Sequence, residues 1–298
     1  MMSQLDNLQH VYIKTNGVTL HTALAGPDDG TPVILLHGFP EFWYGWRHQI
    51  PYLAERGFRV IAPDQRGYNL SDKPAGVDAY RIGELARDVV GLIDALGYEA
   101  VHLVGHDWGA AVAWWTATLF PERLKKLVIL NVPYPTLMTR AYREGNFAQL
   151  LKSWYIFYFQ IPRLPEALAS LGGHYGMAQM LRRSGQPGTF AETDFAEYRK
   201  AWAQPGAMTA MLNWYRAMAR WAARRQRSEA VSRPPARIIP PTLMLWGERD
   251  IALDKSLAQP SIDLCENGRL VFFPNATHWV QHDKADAINR HMVEFLVS

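Results

Sequence analysis

Two aspartates and a histidine of this chain follow apolar runs that are typical of buried strands. Asp107 and Asp250 each follow such a run, and His278 follows a later one. A carboxylate is already ionised at neutral pH, and its attack on a saturated carbon gives an ester that water can cleave. A histidine held by an acid can take a proton from that water. These residue types, in this order, predict covalent ester chemistry with Asp107 as nucleophile, Asp250 as acid and His278 as base.

The predicted nucleophile lies in Gly105-His106-Asp107-Trp108-Gly109, between a strand-like run and a helix-like run of Ala, Val and Trp. Glycines two residues before and after Asp107 permit a tight, strained turn. Serine hydrolases with this turn have serine at its apex, in the pattern Gly-x-Ser-x-Gly. A helix N-terminus favours the anion of Asp107. By analogy with such turns, we expect the backbone N–H groups of Trp108 and Phe39 to form the oxyanion hole.

The elements that must position these residues alternate between strands and helices, which predicts an α/β fold with a mostly parallel sheet covered on both faces. Sites in such sheets lie at the carboxyl ends of the strands. Val11–Thr15 and Val18–Ala25 are predicted as the first two strands, and Asn16-Gly17 between them predicts a hairpin that makes them antiparallel. The other predicted strands outside the Asp107 turn are Pro32–His37, Phe58–Pro63, Leu127–Leu130, Thr242–Trp246 and Leu270–Phe273.

A long helical region interrupts this alternation. From Pro133 onward the chain is rich in Trp, Tyr, Phe, Met and Arg, and the region closes at the double proline Pro234-Pro235. We therefore expect residues 1–132 and 238–298 to form the core and residues 133–237 to form a helical cap. Within the cap, helix breaks are predicted at Pro162, Pro165, Pro187 and Pro205.

Composition excludes several classes of function. The net charge of +3 at pH 7 is too small to indicate nucleic-acid binding, and the arginines from Arg216 to Arg227 are interpreted as a solvated helix face. Cys265 is the only cysteine, so no internal disulfide can form. The chain has no apolar run long enough to span a membrane and no signal-like start, so we expect a cytoplasmic protein, either monomer or homodimer. No metal-binding or phosphate-binding motif is present, and no metal or cofactor is expected.

Taken together, these features resemble those of an epoxide hydrolase of the α/β-hydrolase fold, and the resemblance covers nearly the whole chain. The resemblance rests on His37–Arg47, Arg59–Tyr68 and the turn Gly105–Gly109. It implies an eight-stranded, mostly parallel sheet with helices on both faces and an inserted helical cap. It also implies that two cap tyrosines, Tyr155 and Tyr215, hydrogen-bond the epoxide oxygen.

The resemblance implies a reaction in which Asp107 opens a small apolar epoxide and a vicinal diol leaves after hydrolysis by water. Phe39, Trp108, Tyr155 and Tyr215 would contact the substrate. The Phe39-Pro40 bond is expected to be cis. Some relatives carry the acid after the sixth strand, where this chain has Asn131, which cannot serve as an acid. Asp250 is therefore the better choice.

Several alternatives stay open at this point. A haloalkane dehalogenase also uses an Asp–His–acid set, but many of these enzymes hold the halide with an Asn where this chain has Phe39. A fluoroacetate dehalogenase needs arginines beside the nucleophile, and positions 108 and 111 are Trp and Ala. A serine esterase is excluded by Asp107. A more remote alternative is a ligand-binding protein of the same fold without catalysis, although such proteins usually lose part of the catalytic set.

Overall fold

The computed structural model describes Leu5 and residues 8–145, 147–226 and 237–298. Its described strands form one eight-stranded sheet in the order β1-β2-β4-β3-β5-β6-β7-β8. The strands are β1 (Gln9–Thr15), β2 (Val18–Ala25), β3 (Thr31–Leu36), β4 (Phe58–Pro63), β5 (Val101–His106), β6 (Leu124–Leu130), β7 (Thr242–Gly247) and β8 (Gly268–Phe273).

Only the first two strands depart from a parallel arrangement. β1 pairs with β2, and β2 with β4, in antiparallel register, while every pair from β4–β3 to β7–β8 is parallel. Asn16 and Gly17 both have positive φ, as the predicted hairpin turn requires. The predicted α/β fold with a mostly parallel sheet is confirmed.

Twelve helices accompany the sheet in the part of the chain that the structure describes. They are α1 (Gln49–Ala54), α2 (Ile82–Ala95), α3 (Trp108–Leu119), α4 (Pro135–Arg143), α5 (Phe147–Lys152), α6 (Trp154–Tyr158), α7 (Leu164–Ser184), α8 (Glu192–Trp202), α9 (Ala207–Gln226), α10 (Ala258–Ile262), α11 (Val280–Asp283) and α12 (Ala285–Val297). Among the described residues, no helix is both long and apolar enough to cross a membrane.

The two faces of the sheet bury separate hydrophobic clusters. Along β3, Ile34 and Leu36 pack into a cluster with residues of α2 and α3, while Val33 and Leu35 pack with residues of α1 and α12. This alternation follows from the two-residue period of a strand. Because both faces are covered by helices, the strands have nearly continuous apolar sequences, and polar groups are found at their carboxyl ends.

Between β6 and β7 the described residues form the helices α4 to α9 and no strand, apart from an isolated β-bridge between Ile238 and Cys265. The cap limits at residues 133 and 237 stay a prediction, and Pro234-Pro235 lies outside the described residues. One predicted helix break is wrong: Pro165 lies in the first turn of α7, where a missing N–H costs no hydrogen bond. The helix is instead interrupted at Leu171–His174, where three consecutive residues have positive φ.

Candidate active site

Asp107 occupies the turn between β5 and α3, at the carboxyl edge of the sheet. Its φ of +50° is strained for a residue with a side chain. The neighbouring glycines are required because a side chain at either position would clash with the backbone. A Cβ on Gly109 would lie 2.1 Å from the Leu36 carbonyl oxygen, and one on Gly105 would lie 2.5 Å from the Gly109 carbonyl oxygen. The turn therefore depends on both glycines, as the sequence predicts, and the Asp107 side chain makes no capping hydrogen bond to α3.

The two oxygens of the Asp107 carboxylate face different partners. The backbone N–H of Phe39 donates to Oδ1 at 2.7 Å. Oδ2 lies 3.4 Å from Nε2 of His278. Trp108 is the first residue of α3, so its N–H has no acceptor within the helix. One oxygen is thus held by a main-chain donor, while the other faces the predicted base. The Phe39-Pro40 bond is cis.

Asp250, after β7, holds the other side of the His278 ring. Its Oδ2 lies 2.7 Å from His278 Nδ1, and its Oδ1 accepts hydrogen bonds from the backbone N–H groups of Ala252 and Leu253 at 2.7 and 2.9 Å. Burial raises the pKa of Asp250, but the charge and hydrogen bond of His278 outweigh it, and the pKa is lowered. Asp250 is therefore an anion that fixes the orientation of the imidazole.

Asn131, rejected above as an acid, is a partner of the acid. It follows β6 with φ +52°, and its Nδ2 donates to Asp250 Oδ2 at 2.8 Å. Its Oδ1 accepts from the backbone N–H of Gly247 at 2.8 Å. The sequence contains a signal for this contact, because an amide at the carboxyl end of β6 must lie beside the end of β7, which Asp250 follows. Asn131 cannot titrate, so it adds a hydrogen bond to Asp250 without adding charge.

The charges around His278 determine its protonation. Burial lowers the pKa of His278, but the charge of Asp250, the hydrogen bond with Asp107 and the remaining attraction of both carboxylates raise it from 6.5 to about 10. The free protein therefore holds an imidazolium at neutral pH. A base must be neutral, so His278 can act as one only after a negative neighbour is lost. Esterification of Asp107 would remove that charge and lower the pKa.

This dependence can be measured. In Asp107→Asn, a neutral amide replaces the carboxylate and mimics the charge of an ester. We expect the pKa of His278 in this variant to fall below that of the unaltered protein, because the raising effects of Asp107 are lost while burial is unchanged. NMR titration of the His278 ring resonances measures both values. An unchanged or higher pKa in Asp107→Asn would contradict the electrostatic account.

Tyr155, on α6, and Tyr215, on α9, face the nucleophile from the helical region. Their ring centroids lie 5.9 Å apart, and the Tyr215 ring lies 5.0 Å from the Trp108 ring and 5.4 Å from the Phe39 ring. Phe159 packs against both tyrosines, with centroid distances of 5.7 and 4.9 Å. The surroundings of the two hydroxyl groups are thus largely aromatic, as an apolar substrate requires.

Burial and the charge of Asp107 raise the pKa values of Tyr155 and Tyr215 well above 10. Both hydroxyl groups are therefore protonated at neutral pH and can donate hydrogen bonds. All of the sequence-predicted site residues thus converge on one location at the carboxyl edge of the sheet. Their catalytic roles stay predictions.

Sequence reasoning missed a buried network around Glu41. Tyr198 of α8 donates to Glu41 Oε1 at 2.6 Å, and His282 Nε2 lies 2.8 Å from the same oxygen. Gln281 Nε2 donates to Oε2 at 3.1 Å, and His106 Nδ1 lies 3.6 Å from it. Burial raises the pKa of Glu41, but the two histidines outweigh it and lower the pKa well below 4.5. The network connects the helical region to the segments that carry Phe39 and His278.

The described residues contain no group of three or more His, Cys, Asp or Glu side chains arranged to hold a metal ion.

Known proteins match this chain over nearly its whole length. The sequence model of the alpha/beta hydrolase fold family matches residues 31–285. The AB hydrolase superfamily protein YfhM of Bacillus subtilis is 45% identical over 98% of this chain and 99% of its own length. Epoxide hydrolase 1 of Caenorhabditis elegans is 37% identical over 96% of this chain and 69% of its own length.

A solved structure is also similar to this chain in three dimensions. The Bacillus megaterium epoxide hydrolase, in complex with an inhibitor, is similar to this chain with a TM-score of 0.87 and 31% identity. The match covers 97% of this chain and 100% of that one. Such coverage includes both the sheet and the helical region between β6 and β7, so the similarity is not limited to the common core.

Proposed function

Because the chain belongs to the α/β-hydrolase family, and within it to the epoxide hydrolases, we propose that it converts small apolar epoxides to vicinal diols through an ester on Asp107. The observation that carries the proposal is the placement of two protonated tyrosines, Tyr155 and Tyr215, near the side chain of Asp107. The first half-reaction needs an anion that attacks carbon and an acid that protonates oxygen, and these side chains are of those two types.

In the first half-reaction, Oδ2 of Asp107 attacks one epoxide carbon and forms a C–O bond. The bond between that carbon and the epoxide oxygen breaks, and the oxygen keeps the electron pair. Tyr155 and Tyr215 stabilise the developing alkoxide by hydrogen bonds, and one of them protonates it. The products are a β-hydroxy ester and a tyrosinate, which regains a proton before the next turnover. Oδ1, held by the Phe39 N–H, becomes the ester carbonyl oxygen.

In the second half-reaction, the lost charge of Asp107 lowers the pKa of His278, so the imidazolium gives its proton, through solvent, to the tyrosinate and becomes neutral. His278 then takes a proton from water while the water oxygen attacks the ester carbonyl carbon. The negative charge that develops on Oδ1 is stabilised by the N–H groups of Phe39 and Trp108. Collapse breaks the bond to the alcohol, which takes the proton from His278 and leaves as the diol. Asp107 is left as a carboxylic acid with one oxygen from water, and it gives its proton to His278, which restores the carboxylate and the imidazolium.

The haloalkane dehalogenase alternative differs in the leaving atom. A halide leaves without a proton, so it does not need an acidic hydroxyl, whereas an epoxide oxygen leaves as an alkoxide and must be protonated. Phe39 has no side-chain donor that could hold a halide with Trp108. The tyrosine pair therefore favours the epoxide. The non-catalytic alternative is disfavoured because Asp107, Asp250 and His278 are all present.

A side-by-side assay of the same protein tests this assignment. We expect diol formation from an aryl epoxide such as styrene oxide, and halide release from 1-chlorobutane at least about 10²-fold slower in kcat/KM, since a missing or mismatched polar partner in the transition state costs that much. Asp107→Ala is the control for uncatalysed opening. Halide release that equals or exceeds diol formation would favour the dehalogenase, and no turnover of either substrate would favour a binding protein.

A further inference from the structure

The cap region has an unusual concentration of exposed apolar side chains. Of the sixteen large apolar residues that are exposed in the described part of the chain, nine lie between Leu151 and Met180. Scattered single exposures are normal on soluble proteins, but such a concentration in successive helices of the cap indicates an interaction surface. The name cap outer face is used for the following residues: Leu151, Trp154, Phe157, Leu164, Leu168 and Leu171.

The spacing places four of these side chains in pairs, each on one side of its helix. Trp154 and Phe157 of α6 are three residues apart, and Leu164 and Leu168 of α7 are four residues apart. The exposed fractions of Trp154 and Phe157 are 66% and 67%. The opposite side of α6 presents Tyr155 to the catalytic site. The short helix is therefore apolar on both sides, one toward the site and one toward solvent.

The charges around this surface are almost all positive. From 147 to 184 the only acidic residue is Glu166, and it forms an ion pair with Arg216 at 2.6 Å. Lys152 is turned inward, where its Nζ donates to the Asp250 carbonyl oxygen at 2.7 Å. Arg163 and Arg183 are exposed, and neither has an acidic partner in the part of the chain that the structure describes. Between residues 147 and 184, the exposed apolar side chains are thus accompanied by two arginines without acidic partners and by no unpaired acid.

We propose that the cap outer face binds the surface of a bilayer that contains anionic lipids. Exposed Trp, Phe and Leu side chains insert at the boundary between headgroups and acyl chains, and arginines beside them pair with lipid phosphates. A second copy of the chain fits less well, because a self-complementary contact would need acidic partners for Arg163 and Arg183, and the only acid from 147 to 184, Glu166, is already paired with Arg216. The proposal concerns adsorption only and does not depend on the catalytic assignment.

Flotation of the protein with unilamellar vesicles tests the proposal. We expect binding to vesicles of phosphatidylcholine mixed with phosphatidylglycerol, weaker binding to phosphatidylcholine alone, and weakening by added salt. Trp154→Ser combined with Phe157→Ser should lower the partition coefficient by about 10-fold or more, since each loses a large apolar side chain. Arg163→Glu should weaken binding only to the anionic vesicles. Tyr12→Ser, a matched change at an equally exposed aromatic on β1, should have no effect.

Tryptophan fluorescence gives a second, position-specific readout. Trp154 is the only exposed tryptophan among the eleven, all of which lie in described residues. Brominated anionic lipids should therefore quench the wild type, whereas Trp154→Phe should keep the binding and lose most of the quenching. No flotation with anionic vesicles, or flotation that the Trp154/Phe157 variant leaves unchanged, would overturn the proposal. So would a lipid-free dimer that this variant converts to a monomer, because the face would then be an interface between copies.

Discussion

Replacing both Tyr155 and Tyr215 with Phe is expected to lower kcat/KM for epoxide opening by about 10³-fold or more while the protein stays folded. The two hydroxyl groups are the only acids that the account assigns to the leaving oxygen. Phe keeps the rings, and the centroid contacts with Phe159 and with each other depend on the rings alone. Each single variant should lose less, about 10²-fold, because the second hydroxyl remains.

Single-turnover measurements, with enzyme in excess, separate ring opening from hydrolysis. The loss in the tyrosine variants should appear in ring opening only, since the hydroxyl groups act on the epoxide oxygen and not on the ester. Tyr158→Phe is the matched control, because it makes the same change on α6, three residues after Tyr155. Full activity of the double variant, or an equal loss in Tyr158→Phe, would show that the assignment of the two tyrosines is wrong.

Replacement of His278 by Ala is expected to lower steady-state turnover by about 10³-fold or more, because no other side chain is assigned to activate the water. Ring opening should survive, since it needs only Asp107 and the tyrosines. The variant should therefore consume about one equivalent of epoxide per active site and then stop. His291→Ala, a substitution of the same type on α12, is the control and should turn over normally. Continuous turnover by His278→Ala would contradict the assignment of the base.

Much of the fold can be predicted because each buried strand is a continuous apolar run with clear limits. β2 and β4 have the predicted bounds, Val18–Ala25 and Phe58–Pro63. β6 begins at Leu124 and not at Leu127, because Lys125 and Lys126 interrupt the apolar run before the strand enters the core. Charged residues at the end of a strand hide its start from any rule based on hydrophobicity.

The predicted nucleophile, acid and base meet in the structure for a simple reason. Asp107, Asp250 and His278 each follow a strand of a parallel sheet, and the carboxyl ends of those strands lie along one edge. The order along the chain therefore suffices to predict their proximity. The distances between them, and the high pKa of His278, require the three-dimensional arrangement of both carboxylates.

The residues around Asp107, Asp250 and His278 are harder to predict from the sequence. Tyr155 and Tyr215 come from separate helices, and no periodicity connects positions so far apart, so only the family resemblance singled them out. Glu41 could not be interpreted, because its main partner, His282, lies 241 residues later in the chain. The interruption of α7 at Leu171–His174 depends on positive φ values that the sequence only partly signals through two glycines.

The most direct test of the covalent mechanism is the mass of His278→Ala after addition of one equivalent of epoxide. We expect the intact mass of this variant to increase by the full mass of the epoxide. Fragmentation of the peptide that contains Asp107 should place the adduct on that carboxylate. Asp107→Asn with His278→Ala should show no adduct. An unmodified His278→Ala protein that nevertheless opens epoxide, or an adduct on another residue, would contradict the central claim that Asp107 is the nucleophile.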